Sequence, residues 1–130
     1  MGSLALDELD VFRAAEALAD SVWDIVKHWD SLSRDTVGKQ MVRAADSVGA
    51  NIAEGFGRRS YQDNRRFIRI ARGSVHETRF WLRRAYRRGL LTDEQQTQLK
   101  PLISRMGPLL NGYLRSIGRA GSKAQRTTDE

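Results

Sequence analysis

The residues best suited to chemistry in this chain are arginines. Arg65, Arg66, Arg69, Arg72, Arg79, Arg83, Arg84 and Arg87 recur at spacings that, at 100° per residue, gather on one side of a helix, with His76 and Phe80 among them. A guanidinium is permanently charged, pairs with phosphate through a planar fork, and stacks on bases. A large ring set among guanidiniums is poorly suited to a face that is only wetted. Phe80 can stack a base, or it can fill a pocket on another subunit. An Arg-rich solvated face with one stray aromatic is the plainer alternative. The nucleic-acid reading rests on Arg65, Arg69, Arg72, Arg79, Phe80, Arg83 and Arg87.

No catalytic constellation accompanies that face. The chain has no Cys, which removes thiolate nucleophiles, disulfides and Cys-ligated zinc. Its two His, His28 and His76, are too far apart for an HExxH-type metal spacing. Ser74 and His76 project about 200° apart on a helix, so they form no nucleophile–base pair. Gly55-Phe56-Gly57 follows no strand and leads into no GK[ST] sequence, so it reads as a helix stop rather than a phosphate cradle. Glu54 stands without a second carboxylate for acid–base work. The expectation is a protein that is not an enzyme and uses no cofactor or metal.

Charge is distributed unevenly. The net charge is +6 over 130 residues, but residues 1–57 hold 5 Lys or Arg against 10 Asp or Glu, and residues 58–88 hold 11 Arg against Asp63 and Glu77. Such asymmetry points to an acidic partner such as nucleic acid, or to complementary faces on neighbouring subunits. The excess of 18 Arg over 4 Lys also fits the coding bias of a GC-rich genome. No run approaches 18 apolar residues and no signal peptide opens the chain, so a soluble, cytoplasmic protein with no membrane role is expected.

Four periodic segments position these residues. The first, 8–29, carries the stripe Val11, Ala15, Leu18, Ala19, Val22, Ile25, Val26 and Trp29, with Asp7 as expected cap. The second, 34–54, is expected to be capped by Ser33 and stopped by Gly55 and Gly57. The third, 61–88, runs from the capping pattern Ser60-x-x-Asp63 to Gly89, and its apolar arc holds Phe67, Ile70, Ala71, Val75, Trp81 and Leu82, widened by Ile68 and Tyr86. The fourth, 93–117, opens on the capping box Thr92-x-x-Gln95 and is expected to close at Gly118. Pro101 and Pro108 within it predict a bend, or a helix that properly begins at Pro101, since an interior proline costs about 3 kcal/mol. Connections of a few residues force sequential neighbours to lie antiparallel. The fold class is therefore all-α, an antiparallel up-down-up-down four-helix bundle forming a single domain over 1–118, with 119–130 as a disordered tail.

The second segment has two further faces. Val42, Gly49 and Ala53 form a small-residue shoulder that suits either tight packing in the monomer or an interface. Arg43, Ser47, Asn51 and Glu54 form a polar stripe that suits either solvent or a hydrogen-bonded interface network.

The string Asn51-Ile-Ala-Glu54-Gly55-Phe-Gly57-Arg58, preceded by Ser47 and followed by Phe67, Ile70-Ala71, Gly73-Ser74 and Glu77, resembles the family of four-helix-bundle proteins encoded within 23S rRNA intervening sequences. The resemblance spans about Val11 to Ile117. It departs at Gly49, where the family commonly has Pro, and at Asn64, where an aromatic is common. It implies a ring-like homopentamer with no enzymatic activity. It further implies kinship with the accessory proteins of diversity-generating retroelements, basic pentamers that bind a reverse transcriptase and nucleic acid; Arg79-Phe80-Trp81-Leu82-Arg83 is similar to that branch. Val42, Arg43, Ser47, Gly49, Asn51, Ala53, Glu54, Gly55 and Arg58 are the residues expected at an oligomer interface or in the family motif. Two function classes stay open: a nucleic-acid-binding or ribonucleoprotein accessory protein, and a structural scaffold or protein adaptor.

Overall fold

All four periodic segments are helical. The computed structural model describes residues 5–129, with side chains through Gly121, and holds no strand among them. The helices are α1 (Asp10–Val26), the short α2 (Ser31–Ser33), α3 (Lys39–Phe56), α4 (Tyr61–Arg87), α5 (Asp93–Ser104) and α6 (Met106–Asp129). A π turn, Arg34–Gly38, runs directly from α2 into α3. The four long helical units pack as a bundle, with α3 against α4 as its most extensive contact, flanked by α1 on α3 and α6 on α4.

Two expected caps are present. The Ser60 hydroxyl accepts from the Asp63 N–H at 3.0 Å, and Thr92 and Gln95 complete a reciprocal capping box. The other two are displaced. Helix α1 starts after Leu9 with no side-chain cap, because Asp7 is taken up in the 3-10 turn Leu6–Glu8. Asp30, not Ser33, caps the second unit, accepting from the Ser33 N–H at 3.3 Å. That unit begins three residues early and absorbs the extra length in the π turn, where Gly38 is buried so closely that a Cβ would lie 2.7 Å from Val26 Cγ1.

The expected bend is a break at Arg105. Pro108 has no N–H to donate to the Ser104 carbonyl and its ring crowds that group, so α5 ends at Ser104 and α6 restarts at Met106. Helix α6 does not stop at Gly118. It continues to Asp129, since a glycine only permits a helix end and no following residue here enforces one. The side chains after Gly121, and residue 130 altogether, lie outside the described residues.

The core is drawn from all four segments: Leu18 and Val22 of α1, Met41, Val48 and Ile52 of α3, Ile68 and Ala71 of α4, Leu99 of α5, and Met106 and Leu110 of α6 are all essentially inaccessible. Two positions of the expected apolar arc, Ile70 and Tyr86, are exposed instead. Ile68 is fully buried while Ile70 is 42% exposed, because α3 and α6 close over the arc of Ile68, Ala71, Val75 and Leu82 and leave Ile70 at its rim.

Candidate nucleic-acid interface

Helix α4 spans 27 residues, so it carries its arginines along the full length of the bundle. Arg69, Arg79, Arg83 and Arg87 are exposed, and none of the four has a carboxylate within ion-pair distance among the described residues. Arg65 and Arg72 stand apart from them. Both are half-buried; Arg72 donates to Asn111 Oδ1 of α6 at 3.2 Å, and Arg65 Nε is buried without a partner. Arg72 is thus tied to α6 and Arg65 is half-buried, whereas the other four present exposed guanidiniums without an ion pair among the described residues.

Phe80 is 52% exposed. Its ring meets Trp81 edge-on with centroids 5.0 Å apart, and the Arg84 guanidinium lies 5.9 Å from its centre. Beside it α4 and α5 enclose a groove of about 670 Å³. Arg79, Arg83 and Arg87 stand on its α4 wall and Lys100 on its α5 wall; Leu82 and Ile103 supply apolar surface. No Asp or Glu lines it. Tyr86, also at the groove, donates its hydroxyl to Asp93 Oδ1 at 2.8 Å, and that bond together with the carboxylate's charge raises the phenol above its usual pKa. Sequence reasoning found the α4 wall but missed Lys100 and Gln96, because no helical period connects α5 to α4.

The motif residues separate into two groups. Ser47 pairs its hydroxyl with that of Ser74 in α4, Asn51 Nδ2 donates to the Ser47 carbonyl at 2.8 Å, and Glu54 pairs with Arg58. Arg58 and Arg66 place their guanidiniums 4.8 and 4.6 Å from the Phe67 ring centre, while Gly55 is buried against Asn64 and Phe67. This group organises the crossing of α3 and α4 within one chain.

The second group lies along the seam of α1 and α3. Toward one end Glu16, Asp20 and Asp46 surround a hollow floored by Gly49, Ala50 and Ala53. Desolvation, then the nearby charge of Asp20, raise the Asp46 carboxyl above its usual pKa. Toward the other end Lys27, Arg34, Lys39 and Arg43 surround Trp23, which is 57% exposed, with Val42 beside it. Four of the five basic residues of the acidic first 57 thus collect at one point. Trp23 falls outside the apolar stripe of α1, and that misplacement was the signal available in the sequence.

Among the described residues, no group of three His, Asp or Glu side chains could hold a metal ion, and no helix is long and apolar enough to cross a membrane. No curated protein matches this chain. A solved structure of a protein of unknown function from the S23 ribosomal protein family of Bacteroides thetaiotaomicron VPI-5482 superposes with a TM-score of 0.74 at 25% identity, covering 80% of this chain and 97% of that one. The family model for the 23S rRNA-intervening sequence protein matches residues 7–112, the span that holds the α3–α4 motif, all of the α4 arginines and both walls of the groove; the chain belongs to that family.

Proposed function

We propose that this is a cytoplasmic, non-enzymatic, oligomeric bundle protein that binds RNA or DNA through the arginine face of α4. The observation that carries the reading is the set Arg69, Arg79, Arg83 and Arg87, exposed and, among the described residues, without a carboxylate partner, beside an exposed Phe80. Uncompensated like charge along one helix destabilises a chain, and an external polyanion relieves it. Sequential helices run antiparallel in this reading; the contacts Gly55 to Phe67 and Ser47 to Ser74 on α3 and α4, and Asn64 to Tyr113 and Arg72 to Asn111 on α4 and α6, support that order. Copies close into a homopentamer, as the family resemblance implies, and the summed faces raise avidity for a long strand by orders of magnitude.

The test is fluorescence anisotropy of a labelled single-stranded oligonucleotide across a salt series. The logarithm of affinity should fall linearly with log salt, by about 0.7 per phosphate contacted. Arg69→Ala with Arg79→Ala should flatten the slope. A protein with no measurable affinity at low salt would overturn the reading. The scaffold or adaptor alternative, with a reverse transcriptase as one implied partner, has its own observation in the exposed Trp23, since aromatic residues ringed by polar groups anchor protein interfaces.

A further inference from the structure

We propose that the groove between α4 and α5 holds one unpaired nucleotide, its base against Phe80 and Tyr86 and its phosphate between Arg83 and Lys100, which makes the preferred ligand a single strand. This rests on the nucleic-acid reading above and specifies it.

Three features of the groove select that ligand. Its cations come from two elements, so the charge converges on a cleft as well as spreading along α4, and among the described residues no carboxylate lines it, Asp93 standing behind the Tyr86 hydroxyl. A phosphate would be satisfied by the guanidiniums alone and has no use for two exposed rings, Phe80 and Tyr86, set over the buried Leu82 and Ile103. A planar heterocycle has that use, because every base presents a π face and stacking tolerates any sequence. The volume of about 670 Å³ falls within the range of small-ligand sites, enough for a nucleotide and its sugar. A duplex keeps its bases stacked and paired, so it can approach the arginines but cannot place a base on Phe80 without first extruding it.

The walls also divide the labour. Arg79, Arg83 and Arg87 succeed one another by four residues, a rise of about 6 Å each, and so can follow consecutive phosphates of an extended strand. Gln96 and Ser104 bring an amide and a hydroxyl from α5 to the groove and can bond a base edge. Trp81, touching Phe80 from inside, holds the ring's orientation from a half-buried position.

The experiment compares three labelled probes of equal length: a single strand, its duplex, and an abasic strand with the same phosphates. Phe80→Ala should lower affinity for the normal single strand about 5- to 150-fold, the range expected for one stacked base, and leave the abasic strand and the duplex unchanged. Lys100→Ala should weaken both single strands. Arg69→Ala, outside the groove, should weaken all three probes alike. Phe80 is more than half exposed, so the variant should keep its helical circular dichroism. If Phe80→Ala changes no probe, or changes all three equally, the groove proposal is overturned while the arginine face stands. If no probe binds wild-type protein even at low salt, the nucleic-acid reading falls and the groove proposal with it. If Phe80→Ala alters only the oligomer mass, the groove is an interface between copies and the proposal is likewise overturned.

Discussion

A methyl group on Gly55 would stand 2.7 Å from Asn64 Oδ1 and 2.9 Å from Phe67 Cβ, so α3 and α4 converge where only a hydrogen fits. The backbone carbonyl of Asn64, at 3.0 Å, cannot swing away as a side-chain tip would. Alanine in a helix gains roughly 1 kcal/mol of propensity over glycine, but overpacking costs about 1–3 kcal/mol. Gly55→Ala should therefore be destabilising in urea unfolding. Gly73, in the exposed middle of α4 with nothing within 4 Å of its would-be Cβ, is the matched control. Gly73→Ala should stabilise by about 0.5–1 kcal/mol. Equal behaviour of the two variants would show that the α3–α4 approach is not set by Gly55.

The Ser47 and Ser74 hydroxyls are each other's partner across the same crossing, and the buried Thr78 hydroxyl donates to the Ser74 carbonyl at 2.8 Å. Removing the Ser74 hydroxyl strands that of Ser47 in a half-dry site, at a cost of about 1–3 kcal/mol, whereas Ser74 without Ser47 keeps its bond to the Ile70 carbonyl at 3.3 Å and removing both leaves nothing unsatisfied. The double variant Ser47→Ala/Ser74→Ala should lose less stability than the two single losses added together. A double-mutant cycle that closes to within about 0.3 kcal/mol would mean the pair contributes no coupling.

The four helices were legible because the 3.6-residue period is strong in every one of them and two ends carry capping chemistry that leaves little choice. Ser60-x-x-Asp63 and Thr92-x-x-Gln95 behaved as their spacing demands. Where cap formers crowd together, as Asp7 with Asp10 and Asp30 with Ser33, local sequence does not rank them; α1 takes no side-chain cap, and at the second unit the π turn with Gly38 packed on Val26 goes with the Asp30 cap. The arginine face was visible as a stripe, but which guanidiniums are free was not. Arg72 is tied up by Asn111, a residue 39 positions away, and the groove gains its second wall from Lys100 on another helix. Relations between elements, unlike positions on one, have no period to read.

Two carboxylates move stability with pH in opposite directions. Hydrogen bonds to Ser33, from its side chain first and then its backbone, hold Asp30 below its usual 3.8. Its cap contribution is thus present above the unfolded pKa and is lost as pH falls through the folded one, below about 4. Asp46 is held above 3.8 by desolvation and by Asp20, so its charged form opposes folding at neutral pH, and protonation on acidification relieves that. Asp30→Asn should depress Tm at pH 7 and narrow the gap to wild type near pH 3. Asp46→Asn should raise Tm at pH 7 and converge with wild type in acid. The reverse order for either variant would refute the assignment.

Arg83 sits one turn from both Arg79 and Arg87 on the exposed face, so three like charges stand at i,i+4 spacing. Each such pair is destabilising by about 0.2–0.5 kcal/mol, and an acidic residue at the centre makes both pairs favourable. Arg83→Glu should raise Tm by a few degrees in low salt while weakening binding of every polyanion. Stability and binding moving apart is the signature of charge held for a ligand. If Arg83→Glu lowers Tm as well, the guanidinium has a structural role within the chain.

Trp23 offers the sharpest test of assembly. The α1–α3 seam is acidic and small at one end, where Glu16, Asp20 and Asp46 border Gly49, Ala50 and Ala53; at the other, Lys27, Arg34, Lys39 and Arg43 surround Trp23, Lys27 and Arg34 paired with Asp24 and Asp35 and Lys39 and Arg43 without such a pair among the described residues. Exposed ion pairs contribute little alone, so the apolar ring must supply most of any contact and the charges its register. Anchoring aromatics typically cost 2 kcal/mol or more on truncation, about a thirtyfold weakening per contact. Light scattering of the wild type at micromolar concentration should therefore give a multiple of 14.8 kDa, and Trp23→Ala should shift it toward a single protomer. Lys39→Glu with Arg43→Glu should also dissociate it, and adding Asp20→Lys with Asp46→Lys should restore the mass, because the seam would then have exchanged its signs. Dissociation by Trp23→Ala without rescue by the charge exchange would leave the ring as the anchor and remove the charges from the register. An unchanged mass in all three variants would place the subunit contact elsewhere on the bundle.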